Sequence, residues 1–100
     1  MEKKYIDNYK RCIEVWGIDA QIKMCIEEMS ELTKELCKNW RKSNENTSSQ
    51  IESICEEIAD VQNMLDQMKL IFGEEKVEKY RKEKIERTQK RLDEETQRNG

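Results

Sequence analysis

The sequence predicts an all-α protein, and three observations carry that expectation. There is no proline in 100 residues and there are only three glycines, at positions 17, 73 and 100, so little interrupts a helix. Strand formers are outnumbered by Glu, Lys, Gln, Met and Leu. The apolar residues recur at intervals of three and four, the period of one helix face.

The first helix is expected over residues 3–15. Tyr5, Tyr9, Cys12 and Trp16 fall at helical spacing there, with Ile6 and Ile13 alongside. Gly17 can close it, and Asp19 can cap the next one. The second helix spans about residues 19–41, with Ile22, Cys25, Ile26, Met29, Leu32 and Leu36 as its stripe. Residues 43–49 read as a polar loop, and Ser48 or Ser49 is placed to cap the third helix, Ser49 with Glu52 having capping-box spacing. That third helix, residues 49–72, presents Ile51, Ile54, Ile58, Val61, Leu65, Met68 and Phe72 before Gly73 ends it. A fourth, residues 74–97, is more polar, with a weak stripe of Val77, Tyr80, Ile85, Thr88 and Leu92.

Charged residues make up 41% of the chain and hydrophobic ones 35%, so one copy buries a thin core. The expectation is a single four-helix domain whose core is completed by homo-oligomerisation, as a homodimer or homotetramer. The balance of 19 basic and 22 acidic residues provides no field for nucleic-acid binding. No apolar run approaches the ~20 residues of a membrane span, and the N-terminus lacks the apolar core of a signal peptide. Those features point to a cytoplasmic protein without membrane contact. Cys12, Cys25, Cys37 and Cys55 are far apart and there is no histidine, which speaks against zinc and for reduced, inert thiols.

The second and third helices repeat each other at an offset of 29 residues. Gln21-Ile22 falls on Gln50-Ile51, Glu27-Glu28-Met29 on Glu56-Glu57-Ile58, and Glu31-Leu32 on Asp60-Val61. Glu28 and Glu31 are one turn apart, as are Glu57 and Asp60, so each pair occupies one flank of its helix near the apolar stripe. Packed antiparallel through equivalent stripes, the helices would bring four carboxylates face to face. At an effective dielectric near 20, each like-charge pair at ~4 Å costs about 4 kcal/mol, so protonation or a cation must intervene. Hard oxygen ligands without His or Cys suit Mg2+ or Mn2+. One E-x-x-E alone is ordinarily a solvated helix face; two in matched positions ask for more.

Glu27-Glu28-Met29-Ser30-Glu31-Leu32 followed by Glu56-Glu57-Ile58-Ala59-Asp60-Val61 resembles the E-E-x-x-E…E-x-x-D signature of the MazG-like nucleoside triphosphate pyrophosphohydrolases. That all-α superfamily also contains dimeric dUTPases, dCTP pyrophosphatases and phosphoribosyl-ATP pyrophosphohydrolases. The likeness runs from about residue 15 to 92, with Trp16-Gly17 ahead of the first motif and Lys84-Ile85-Glu86-Arg87 after the second. It implies Mg2+-dependent hydrolysis of a (d)NTP between the α and β phosphates, giving the monophosphate and pyrophosphate. By the same resemblance Glu28, Glu31, Glu57 and Asp60 hold the metal, and Glu27 or Glu56 takes the proton of the attacking water. Lys84, Arg87 and Arg91, on one face of the fourth helix, are candidates for the triphosphate, as is Lys34. Asn63 and Gln67 are candidates for the sugar or base. Trp16 reads first as core, with base stacking as the second option.

Two alternatives stand beside this reading. One is a phosphoribosyl-ATP pyrophosphohydrolase of the same superfamily, which the motif does not separate from an NTP enzyme. The other is a non-catalytic helical interaction or regulatory module whose acids only solubilise it.

Overall fold

The computed structural model describes residues 1–41 and 47–99 and contains four helices: α1 Lys3–Trp16, α2 Ile18–Arg41, α3 Ser48–Phe72 and α4 Glu74–Asn99. No strand occurs among the described residues. Most of the expected polar loop, residues 42–46, lies outside them.

Two glycines make the tightest links. The Gly17 N–H closes α1 on the Ile13 carbonyl at 2.9 Å, and its own carbonyl accepts the Gln21 N–H that opens α2. Gly73 does the same between Lys69 and Val77. Both have positive φ, 92° and 128°, which a side chain would disfavour. Because α2 starts directly at Ile18, Asp19 lies within its first turn and does not cap it. The cap of α3 is likewise one residue earlier than expected. The Thr47 hydroxyl accepts the Gln50 N–H at 3.2 Å, and Ser48 and Ser49 are already helical.

α2 and α3 form the body of the molecule, and α1 lies against both. Their pairing is antiparallel: Gln21 bonds Gln67, while Glu28, seven residues on, meets Asp60, seven residues back. The seam differs from the stripes expected from sequence. Its α2 side includes Gln21, Cys25, Glu28, Leu32 and Glu35, all buried or half-buried, and its α3 side Ile54, Glu57, Val61, Met64, Gln67 and Met68. Seven apolar residues assigned to those stripes, Ile26, Met29, Leu36, Ile51, Ile58, Leu65 and Phe72, are exposed. Ile26, Met29, Leu36, Ile58 and Leu65 stand one residue, about 100°, round the helix from a seam residue. The periodicity located an apolar side on each helix, but polar residues share the inner position, and Gln21 and Gln67 there satisfy one another. Gln21 Nε2 donates to Gln67 Oε1 at 2.6 Å, with both side chains buried.

α1 turns Ile6, Tyr9 and Ile13 inward, and Tyr5 and Trp16 outward. Trp16 is 64% exposed, so it is not core in this chain. The buried apolar residues are Tyr9, Cys25, Val61 and Met64 alone among those described. All four cysteines are free thiols, Cys25 buried, Cys37 and Cys55 exposed.

α4 packs only against the end of α3. Lys69 anchors it through Glu78 at 2.7 Å, and Val77 is half-buried, but Tyr80, Ile85 and Leu92 are exposed. The radius of gyration is 17.4 Å, against about 13 Å for a compact chain of this length. No helix among the described residues is long and apolar enough to cross a membrane.

Candidate metal centre

The acid cluster forms because the 29-residue repeat places Glu28 and Glu57 in equivalent seam positions of two antiparallel helices. Each helix then contributes a second acid one turn on, Glu31 and Asp60, on the same flank. One carboxylate oxygen each from Glu28, Glu57 and Asp60 lies within 4.8 Å of the others. Glu31 stands just outside that trio, close enough to act electrostatically on both Glu28 and Glu57.

Crowding shows in the titration of the group. Burial raises the Glu28 carboxyl above its ordinary value, and the charges of Asp60 and Glu57 and a hydrogen bond with Asp60 raise it further. Burial also raises Glu57, followed by the charges of Asp60, Glu31, Glu35 and Glu56. One Glu57 oxygen, Oε2, is buried and has no hydrogen-bond partner. A carboxylate oxygen in that condition is costly unless a proton or a cation meets it.

The donor set fits a hard divalent cation. It is all carboxylate, and octahedral Mg2+ at about 2.1 Å per bond separates ligand oxygens by about 3.0 to 4.2 Å. The observed spread needs only a small side-chain adjustment to reach that range. No histidine exists to divert the site toward zinc or copper.

The remaining residues singled out from sequence divide into near and far groups. Glu27 and Glu56 are exposed beside the trio, and Glu56 is close enough to raise Glu57. Asn63 lies one turn beyond Asp60 and accepts a hydrogen bond from the Tyr9 hydroxyl at 2.8 Å. Gln67 is committed to Gln21 and buried, so it does not face a ligand. Lys34 is exposed on α2. Lys84, Arg87 and Arg91 are exposed on α4, which touches neither α1 nor α2, so one chain does not bring them to the cluster. Trp16 borders a shallow groove with Asn8, Arg11, Cys12 and Val15 at the end of α1.

Two residues missed in the sequence reading belong to the site's surroundings. Glu35 is half-buried in the seam and adds to the charge on Glu57; its signal is its place seven residues after Glu28. Tyr9 packs on the polar flank of α3, and burial, followed by the Asp66 carboxylate, raises its hydroxyl above the ordinary tyrosine value. Nothing in its spacing distinguished it from Tyr5.

No protein family, curated protein or solved structure matches this chain.

Proposed function

We propose that the α2–α3 seam binds Mg2+ or Mn2+ and that the protein hydrolyses a nucleoside triphosphate between its α and β phosphates. The observation that carries this reading is the meeting of Glu28, Glu57 and Asp60 from two helices, with a buried Glu57 oxygen left unpartnered. The motif resemblance supports the same chemistry.

In this reading Glu28, Glu57 and Asp60 hold the cation, with Glu31 as a fourth carboxylate one turn from Glu28. When bound, the cation neutralises phosphoryl charge and supplies a polarised water. The chain's own part is to fix the carboxylates on two packed helices, so that little reorganisation accompanies binding. Glu27 and Glu56, solvent-facing beside the trio, are placed to take a proton from water. Tyr9 holds the Asn63 carbonyl oxygen at 2.8 Å, which leaves the Asn63 amide N–H2 to address a sugar or base. The protein acts as a homo-oligomer, which is also how Lys84, Arg87 and Arg91 of α4 would come near a triphosphate.

The test is product analysis with each common NTP, dNTP and phosphoribosyl-ATP, with and without Mg2+. Monophosphate plus pyrophosphate, dependent on metal and lost in Glu28→Gln and Asp60→Asn proteins that remain helical, is the expected result. Turnover of phosphoribosyl-ATP alone would reassign the substrate. No turnover in any mixture would remove the hydrolase reading.

A further inference from the structure

We infer that α4 is hinged at Gly73 and closes onto the exposed apolar side of α3, so that the chain covers Ile58 and Leu65 with its own Ile85 and Leu92.

The joint is a single residue. The Gly73 N–H is bonded back into α3, to the Lys69 carbonyl, and the Gly73 carbonyl accepts the Val77 N–H of α4. Between those two bonds only the φ and ψ of Gly73 can turn, so α4 changes direction without breaking either. Gly73 stands at φ 128° and ψ 103°, and without a Cβ it has the widest choice of other values.

From this joint α3 and α4 diverge as the sides of a wedge. The gap is a cleft of about 570 Å³, with Gln62, Leu65 and Met68 on one wall and Val77 and Arg81 on the other. Beyond the cleft each wall continues along its helix in steps of three and four. On α3 it runs through Ile58, Cys55 and Ile51, and on α4 through Ile85, Thr88 and Leu92. Neither continuation carries a charge, in a chain of which 41% is charged. Ile58 and Leu65 are 40% and 44% exposed, and Ile85 and Leu92 are 64% and 53% exposed. Each stripe is what the other lacks.

The register fits as well. Positions equally far from the joint come level when two helices fold back antiparallel. Cys55 is 18 residues before Gly73 and Leu92 is 19 after it. Ile85, 12 after, falls between Leu65, 8 before, and Ile58, 15 before. Closure therefore sets Ile85 between Ile58 and Leu65 and Leu92 beside Cys55, as in an αα-hairpin. Arg81 stays at the rim, where Glu78 already holds it. Tethering favours α4 over any free molecule as the occupant, because a short link gives it an effective concentration on the order of millimolar. Asp60 is turned from the α3 seam in the opposite sense to Ile58 and Leu65, so closure leaves the acid cluster open.

A thiol trap on the full chain tests this without reference to activity. Cys12→Ser and Cys37→Ser leave Cys55 as the one exposed native thiol, since Cys25 is buried, and Leu92→Cys supplies its partner. Under mild oxidation at micromolar concentration, the expected product is a disulfide joining positions 55 and 92 within one 12.1 kDa chain. Lys90→Cys in place of Leu92→Cys, turned about 200° round the helix, should link at least about tenfold more slowly. Where disulfide geometry is too strict for the trap, Ile85→Lys decides. Lys forms helix at least as well as Ile, so an open α4 would lose nothing, whereas closure predicts a melting temperature several degrees lower at every protein concentration. A disulfide formed only between chains would give the face to a neighbouring molecule and overturn the inference. So would equal linking at positions 90 and 92, or an Ile85→Lys protein that melts with the wild type.

Discussion

Asp60 acts on Glu28 across the α2–α3 seam by charge and by hydrogen bond, adding to the burial that already raises the Glu28 carboxyl. Two acids that would repel in the ionised state are thus stacked between two helices, which favours the protonated form of Glu28. This single relationship yields two of the predictions below.

Removing one carboxylate should separate stability from metal binding. Without divalent cation, Glu28→Gln should melt at or slightly above the wild-type temperature, because it relieves like-charge repulsion. Mg2+ at 100 times its dissociation constant should stabilise the wild type by about 2.7 kcal/mol, a rise of roughly 10 °C or more for a domain this size. In Glu28→Gln that rise should vanish. Thermal scans by circular dichroism with and without Mg2+ decide it; an equal rise in both proteins would place the cation elsewhere.

The pH dependence has a definite sign. Glu28 and Glu57 titrate above their ordinary value when folded, so the folded chain holds these protons more tightly than the unfolded one. Their contribution is complete below the ordinary carboxylate range and is lost as pH rises through the raised folded values. Glu78 runs oppositely, since hydrogen bonds from Lys69 and then Arg81 lower it, and its contribution fades as pH falls through the lowered value. Measured in EDTA, the advantage of Glu28→Gln over wild type should be near zero at about pH 4 and grow toward neutrality. A difference constant across that span would count against the shared-proton account.

The buried pair of Gln21 and Gln67 should be strongly coupled. Gln67→Ala leaves the Gln21 amide without its 2.6 Å partner inside the seam, at a cost of about 1–3 kcal/mol beyond the lost packing. Replacing both by Leu should cost far less than the two single changes added together. A denaturant-based double-mutant cycle checks this, and simple additivity would show that the bond contributes nothing specific.

Gly17 should be intolerant of alanine for conformational reasons alone. A Cβ built there meets nothing within 4 Å, yet its φ of 92° and ψ of 157° define a region used almost only by glycine. Gly17→Ala should therefore destabilise by about 1–3 kcal/mol in chemical denaturation. A neutral result would mean that the α1–α2 link relaxes to another geometry.

The four helices were legible because helix formers, glycine stops and apolar periodicity agree along the chain. The acid cluster was legible because the repeat fixes equivalent positions on two helices, whatever the precise seam. Burial was misassigned for a physical reason. Apolar periodicity weights Ile51, Ile58 and Leu65 above Gln50, Glu57 and Met64, whereas the inner seam is chosen by pairing, as in Gln21 with Gln67. A polar residue satisfied by a partner 46 positions away has no local signature. Trp16 reads as core because an aromatic closing a helix ordinarily packs inward, but it is exposed here, at the end of a helix whose inward face runs through Ile6, Tyr9 and Ile13. The direction of α4 could not be read either, since its residues carry too little apolar pattern to name a partner.

The junction at Gly73 makes α4 a lever. With 26 residues at 1.5 Å each, the helix is about 39 Å long, so a tilt of about 10° at its base moves its tip by about 7 Å. Among the described residues its restraints lie near the pivot, where Val77 packs and Glu78 ties to Lys69. Lys84, Arg87 and Arg91 lie progressively farther along the arm. The aim of those cations is therefore set by a few contacts in the first two turns, and a change at Lys69 would be felt most strongly at residues that never touch it.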